Sequence, residues 1–459
     1  MDSVGTALPR ADWRLGTTVA TNALLERQGA RTVLISNTGL GDLLRLDDQT
    51  RPSLFGLGVS REQPLAATRE VAGRLDASGQ ELEPVDLKAA EALFQELSGA
   101  GVESLSIALL HSTKNPEHEC ALARVAAPFF DTVVCSHEVS GARGLLARAQ
   151  TATLDAYLTP VLQRSLHALR TEIPGSELLL MQSSGDLLES KQLRGRNAVG
   201  SGPAAGVIAC AAWHAAVGQP ILGFDMGGTS TDVCRVDGTL ERTDEMFVAG
   251  VRVRAPALQL HTIAAGGGSI CEIAAGRYLV GPRSAGADPG PLCYGRNSAV
   301  HPTLTDAAVT LGLIPEGALP IPIDHARARA GFESLDPNRT PEACAAGFVR
   351  VAVETMATAI EVVSTARGHD PRDHALLTFG GAGGQYACAI AERLGIQKVV
   401  LPPFAGVFSA WGMGVASVGR HAEVGCEGVL DARHLEHIQA AVLTLEEGLA
   451  TDAGAEERH

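Results

Sequence analysis

The chain has 459 residues, enough for two or three domains at about 150 residues each. Hydrophobic residues make up 45% and charged residues 19%, a globular composition that excludes disordered, collagen-like and coiled-coil chains. Thirty-seven Lys and Arg stand against 52 Asp and Glu, and a formal charge of −15 suits no nucleic-acid backbone.

Taken in chain order, GTTVATNALL (16–25) starts an apolar helix with Thr17, Thr18, Thr21 and Asn22. ARTVLIS (30–36) reads as a strand. Residues 86–99 have helical apolar spacing, and ESLSIALLH (103–111) and FFDTVVCS (129–136) read as strands. Residues 151–172 read as a helix with Pro160 at a kink or in the first turn, followed by the strand SELLLMQS (176–183). A small-residue helix spans 201–218. From 221 to 269 short strand-like segments suggest an antiparallel meander. A long helix is expected over 341–367. The strand HALLTFGG (374–381) leads through a glycine turn to a helix at 385–395, which Gly395 closes; KVVLPP (398–403) is a further strand. The polar tail beyond 424 is expected to fray. Strands alternating with helices give an α/β fold.

No run approaches the ~20 apolar residues of a membrane helix. The opening MDSVGTALPRADW has no basic n-region or apolar h-region, which points to the cytoplasm. None of the nine cysteines forms CxxC or has zinc-finger spacing, so reduced thiols are expected. None of Lys88, Lys114, Lys191 and Lys398 follows a glycine, so there is no Walker A loop.

Several segments carry chemistry. In GFDMGGTSTDV (223–233) an apolar strand ends at Asp225, and Gly227, Gly228, Thr229, Ser230 and Asp232 follow. Backbone amides and hydroxyls at such a turn suit an anion, and Asp225 suits Mg²⁺ or an attacking group. A plain Gly-Gly hairpin is the alternative. TFGGAGGQ (378–385) places Gly380, Gly381 and Gly383 between a strand and a helix, where a nucleotide or an ordinary turn would fit. HTIAAGGGSI (261–270) joins His261 to Gly266, Gly267 and Gly268; the histidine is a candidate base or a packed polar residue. SAGADPGPLCYG (284–295) is a rigid loop with Asp288 as its one carboxylate.

With ALLHSTKNPEHE (108–119), GSGPAAGV (200–207), TLTDA (303–307) and AGVFSAWGMGVA (405–416), these segments resemble the hydantoinase A/5-oxoprolinase family, nearer its 5-oxoprolinase branch. The resemblance runs in order to about residue 420. It implies an actin-like ATPase fold of the sugar kinase/Hsp70 superfamily, two-lobed, with lobes at 1–195 and 196–423 and a tail at 424–459. It implies ATP and Mg²⁺ as cofactors, with Asp225 as metal ligand. Asp225, His261 and Asp306 would be catalytic. The glycines above, Thr229, Ser230 and Asp232 would hold the nucleotide, and Thr17, Thr18, Asn22 and Asp288 would contact substrate.

The implied reaction is ATP-dependent ring opening of a cyclic amide. Phosphorylation of the amide oxygen makes the ring carbon electrophilic, and water opens 5-oxo-L-proline to L-glutamate, or opens a hydantoin. A hydantoinase B-like second subunit is the implied partner, in an oligomer, with no nucleic acid or membrane. The alternatives are an acetone-carboxylase-type ATP-using subunit and a non-catalytic subunit that keeps the fold. The sequence departs from the family in four respects, one being that the C-terminal extension common in the family has no counterpart here. The family's first phosphate loop, DxGGTxTD, has no counterpart before residue 16, so a truncated chain with an incomplete first lobe is expected. Leu15 stands where the family has His, and SSGD (183–186) replaces SNGG or SDGG.

Overall fold

The computed structural model describes residues 11–50, 64–315, 317 and 320–456. Residues 1–10, read above for a leader, lie outside it. The chain forms two compact units. Unit 1 comprises 1–201, 243–257 and 417–459; unit 2 comprises 202–242 and 258–416.

In unit 1, β1 (Asp12–Leu15) leads into α1 (Val19–Leu25). A fully buried strand, β2 (Thr32–Asn37), follows. It lies between β3 (Ala67–Val71) and β4 (Ser104–Ile107), and β5 (Thr132–Cys135) completes an all-parallel sheet in the order β3-β2-β4-β5. Parallel strands need covering helices. α2 (Leu87–Gly99), capped by Asp86, and α3 (Glu117–Ala126) bury Phe94, Leu97 and Leu122 in that core. α4 (Leu145–Glu172) begins earlier than its apolar pattern suggests, and Pro160 lies in its interior. β6 (Glu177–Met181) runs parallel to β1 and antiparallel to β7 (Leu187–Glu189). Val251, Val253 and Ala255 pack in the same core as Leu154 and Leu158 of α4, so part of the expected meander belongs to unit 1.

Unit 2 is built on α5 (Ser201–Val217) and a six-stranded sheet. Its centre is β8 (Ile221–Met226), antiparallel to β9 (Thr231–Asp237). β9 pairs on its other side with β10 (Leu260–Ile263) and, at its end, with the short strand Thr239–Leu240. A hairpin of β11 (Ser269–Ala274) and β12 (Arg277–Ser284) follows. α6 (Leu304–Thr310), α7 (His325–Leu335) and α8 (Pro341–Val363) pack next. The sheet is completed by β13 (Ala375–Phe379), parallel to β8, and β14 (Lys398–Val400), parallel to β13. α9 (Ala387–Leu394) lies between them and ends at Gly395, whose φ of 71° is the left-handed cap expected there. α10 (Phe408–Val415) closes the unit.

The segment Pro341–Arg367, with mean hydropathy 1.4, is long and apolar enough for a membrane by length and composition, contrary to the expectation of no such run. More than half of its apolar window is buried, and Phe348, Met356 and Ile360 sit in the core of unit 2. The tail does not fray throughout, because α11 spans Ala432–Glu456. Its Ala, Leu and Glu residues are strong helix formers, and that outweighs the polarity.

Candidate nucleotide and metal site

β8 carries Phe224 and Met226 into the core and turns Asp225 to the other face. The chain reverses at Gly227-Gly228, and β9 returns in a register that sets Asp232 directly opposite Asp225. β10 extends the row, with Thr262 opposite Asp232. The Thr262 hydroxyl donates to Asp232 Oδ1 at 2.5 Å, and the Ser409 hydroxyl of α10 donates to Asp225 Oδ2 at 3.3 Å.

Burial and then the facing Asp232 push the Asp225 carboxyl up to about 6, against the pull of the Ser409 hydroxyl. Burial likewise raises Asp232, opposed by Thr262. Among the described residues, no Lys or Arg acts on either carboxylate. Two adjacent, partly desolvated carboxylates without a cationic side chain are a fitting donor set for a hard divalent cation. They lie where β8 and β13 end together, at the carboxyl edge where α/β sheets bind ligands.

Glycine turns hold this pair in place. Gly227 N donates to Ser230 O at 3.0 Å, which closes the hairpin. Gly267 N and Gly268 N donate to the carbonyls of Gly227 and Gly228 at 3.0 and 2.6 Å. The approach is so close that a Cβ on Gly266 would stand 2.6 Å from Gly228 C and 2.7 Å from Thr229 N. Gly380 has φ 79°, and a Cβ there would collide with Asp225 Oδ1 and Met226 O. Ala382 N donates to Met226 O at 3.0 Å. The three glycine segments singled out in the sequence therefore meet around Asp225. The hairpin tip, Gly228 and Thr229, is exposed, and its amides and hydroxyls are available to phosphate. Gly381 has open space at its Cβ position, whereas Gly383 packs over Thr378 Oγ1.

Other predicted residues stand elsewhere. His261 pairs with Val233, one step along from Thr262, so strand alternation puts it on the face opposite Asp225 and Asp232. Asp306 is fully buried, and its carboxylate accepts from Leu292 N, Cys293 N, Thr303 N and Thr303 Oγ1 at 2.7–3.1 Å. It forms a capping box on α6 and has no free oxygen for a reacting atom. Thr305 beside it donates from N and Oγ1 to Gly267 O, at 2.7 and 2.8 Å. Asp306 thus positions the Gly266–Gly268 turn. Asp288 is exposed and pairs with Arg296 at 3.1 Å.

Thr17, Thr18 and Asn22 lie in unit 1 at the start of α1. Thr17 Oγ1 accepts from Val19 N at 3.2 Å, and Asn22 Nδ2 donates to Thr18 Oγ1 at 3.4 Å, so local turn and side-chain bonds occupy part of this cluster, while the N-cap residue Thr18 makes no side-chain cap bond. Thr262 and Ser409 were not identified from sequence. The segment 405–416 carries the family resemblance, but no local pattern in it marks Ser409 as a partner of Asp225.

Residues 148–422 match the Hydantoinase/oxoprolinase family, and residues 11–128 match the Hydantoinase/oxoprolinase N-terminal region. The chain is 37% identical to 5-oxoprolinase 1 of Arabidopsis thaliana over 89% of its own length and 36% of the relative's. It is 35% identical to caprolactamase subunit alpha of Pseudomonas jessenii, covering 86% of this chain and 60% of that one. The crystal structure of ATP-dependent caprolactamase from the same organism superposes with a TM-score of 0.79 at 30% identity, over 95% of this chain and 66% of that one. The chain thus spans about a third of the length of the plant relative. The expected α/β, actin-like ATPase fold stands. On its sequence and its fold, the chain belongs to the hydantoinase/oxoprolinase family.

Proposed function

We propose that this chain is the ATP-using part of an enzyme that opens a cyclic amide, with 5-oxo-L-proline as the first substrate to test and a hydantoin as the second. One observation carries the reading. Asp225 and Asp232 face each other, with no basic side chain acting on either among the described residues, at the glycine-lined carboxyl edge of the unit 2 sheet. The names of the relatives support the same class of chemistry.

When bound, ATP supplies the phosphoryl group that activates an amide oxygen, and Mg²⁺ neutralises the phosphate charge. The chain's own residues prepare for this. Asp225 and Asp232 would hold the cation, with Thr262 and Ser409 fixing their carboxylates. The amides of Gly228, Thr229 and Ser230 would hold phosphate oxygens, with the Thr229 and Ser230 hydroxyls beside them. The open space at Gly381, with Gly380 and Gly383 on either side, would admit adenosine. Thr17, Thr18, Asn22 and Asp288 stay proposed substrate contacts. His261 is left out because of its face, and Asp306 acts by positioning. The printed name of one relative, a caprolactamase subunit alpha, supports a partner for this chain, in the first instance a hydantoinase B-like second subunit.

The test is calorimetric binding of Mg-ATP to the wild type and to Asp225→Asn. It is followed by phosphate release with 5-oxo-L-proline and hydantoin, with and without the second subunit. Binding lost in Asp225→Asn, with lactam-dependent phosphate release, is the expected result. A folded wild type that binds no Mg-ATP would overturn the nucleotide reading. Binding without stimulation by any cyclic amide, in the presence of the second subunit, would overturn the substrate class alone.

A further inference from the structure

Unit 1 holds a cluster of titratable side chains that the proposed reaction does not use. It forms where the first turn of α3 meets the short helix Ser136–Val139 that follows β5. Glu119 is completely buried there. Its Oε1 accepts from Leu109 N at 2.8 Å and from Ser136 Oγ at 2.7 Å. Its Oε2 accepts from His137 N at 3.0 Å and meets His137 Nδ1 at 2.6 Å. A carboxylate held on both oxygens fixes the ring that it touches. With the Nδ1 proton directed at Glu119, Nε2 turns its lone pair the other way. Cys120 Sγ stands on that side, 3.7 Å from Nε2, within reach of a hydrogen bond from the thiol.

Each link in the series Cys120, His137, Glu119 is therefore a direct contact. A nucleophile beside a base, with a third group orienting the base, is the arrangement that activates a thiol. Among the described residues, no other cysteine lies within hydrogen-bonding distance of an imidazole.

The surrounding charges set how the trio works. Burial pulls the His137 imidazole down, but Glu119 and then Glu138 outweigh it and hold the ring above its ordinary value, against Arg148 of α4. Burial, then Glu117 and Glu138, raise the Cys120 thiol; Arg124 opposes them and Glu119 adds to them. The thiol therefore keeps its proton at rest, and that proton must leave as sulfur attacks. His137 Nε2 is the acceptor in place for it. Glu117 and Glu138 are exposed, and their charge disfavours anionic reagents. Cys120 and His137 are partly exposed, which admits a small molecule. A small neutral hydroperoxide meets both conditions. Breaking its O–O bond also leaves an oxygen that must be protonated, and the imidazolium formed during the attack carries that proton.

We propose that Cys120 is a hydroperoxide-reactive thiol, with His137 as its proton-transfer partner and Glu119 as the positioning residue. Sulfur attacks one peroxide oxygen while its proton passes to His137 Nε2. The S–O bond forms as the O–O bond breaks, and sulfur gives up the electron pair that the peroxide gains. The leaving oxygen takes the proton from Nε2 and departs as water or an alcohol, and Cys120 is left as a sulfenic acid.

The test treats the full chain with hydrogen peroxide, traps sulfenic acid with dimedone and locates it by mass spectrometry. Cys388, which is exposed, serves as the internal reference. Cys120 should label at least about tenfold faster than Cys388, because a positioned base takes its proton. His137→Asn should bring Cys120 down to about the rate of Cys388 and leave Cys388 unchanged. The Cys120 rate should rise with pH as the imidazole loses its proton. Glu119→Gln removes the group that holds the ring up, so the midpoint of that rise should move to lower pH, a shift that loosened packing alone does not produce. Where Glu119→Gln does not fold, wild type and His137→Asn, at a partly exposed position, decide. Equal rates at Cys120 and Cys388, or an unchanged Cys120 rate in His137→Asn, overturns the proposal. An unmoved midpoint in folded Glu119→Gln overturns the positioning role.

Discussion

Asp225 and Asp232 occupy directly opposed positions on β8 and β9, one residue in from each side of the Gly227–Ser230 reversal. Like charges in that relation disfavour double ionisation. Burial first, and then the facing Asp232, raises the Asp225 carboxyl, and the proposed cation would relieve the pair.

That relation has a pH signature. Asp225 has a folded value of about 6, above the usual 3.8. Its contribution to stability is therefore fully present below the unfolded value and is lost as pH rises through 6. Without a divalent cation, Asp225→Asn, which mimics the protonated form, should melt above wild type at pH 7.5 and close to it at pH 4. Cation binding needs the ionised form, so Mg-ATP affinity should climb between pH 5 and 7 and level off above. Thermal melts and calorimetry across that range measure both. A flat affinity profile in the wild type would count against Asp225 as a ligand.

The hydroxyls on the two carboxylates tune the same transition. Ser409→Ala removes the group that lowers Asp225, and Thr262→Val removes the one that lowers Asp232. Each substitution should shift the Mg-ATP binding midpoint to higher pH while the plateau affinity changes less than in Asp225→Asn. His261→Ala, on the opposite face, should leave the midpoint in place. A shift in His261→Ala equal to that in Ser409→Ala would contradict the face assignment.

Two neighbouring glycines separate backbone need from ligand space. Gly380→Ala places a methyl at φ 79° against Asp225 and Met226. Left-handed strain alone costs about 1–3 kcal/mol, and displacing Asp225 should also abolish Mg-ATP binding. Gly381→Ala meets nothing within 4 Å. Its melting temperature should equal wild type, and weaker nucleotide binding in that variant would support adenosine at this turn. Chemical denaturation beside calorimetry distinguishes the two effects.

Much of this arrangement is readable from the residues. The β-branched run Thr32–Asn37 is a buried strand, and Asp86 caps α2 where its spacing begins. Asp225 and three glycine segments were all recognisable because each is a local signal. What was not legible depends on pairing. Thr262 and His261 are adjacent in sequence, and only the β9–β10 register decides which one joins Asp232. The role of Asp306 is hidden for a related reason. TLTD has capping spacing, but two of its four donors come from Leu292 and Cys293, in a loop well before it in the chain. Ser409 reaches Asp225 from a distant helix, which no local pattern reports.

Asp306 therefore supplies the sharpest test of position against chemistry. Asp306→Asn keeps the shape but replaces one acceptor oxygen with a donor that faces other donors. Hydrogen bonds to a buried charge are worth about 1.5–3 kcal/mol each, so a loss of at least about 2 kcal/mol is expected in urea denaturation. The Gly266–Gly268 turn rests on Thr305 beside it, so Mg-ATP affinity should fall in proportion to the destabilisation. If Asp306 instead took part in the chemistry, the variant would bind Mg-ATP normally and keep its stability while turnover collapsed. Measuring stability, affinity and phosphate release on one preparation tells these outcomes apart.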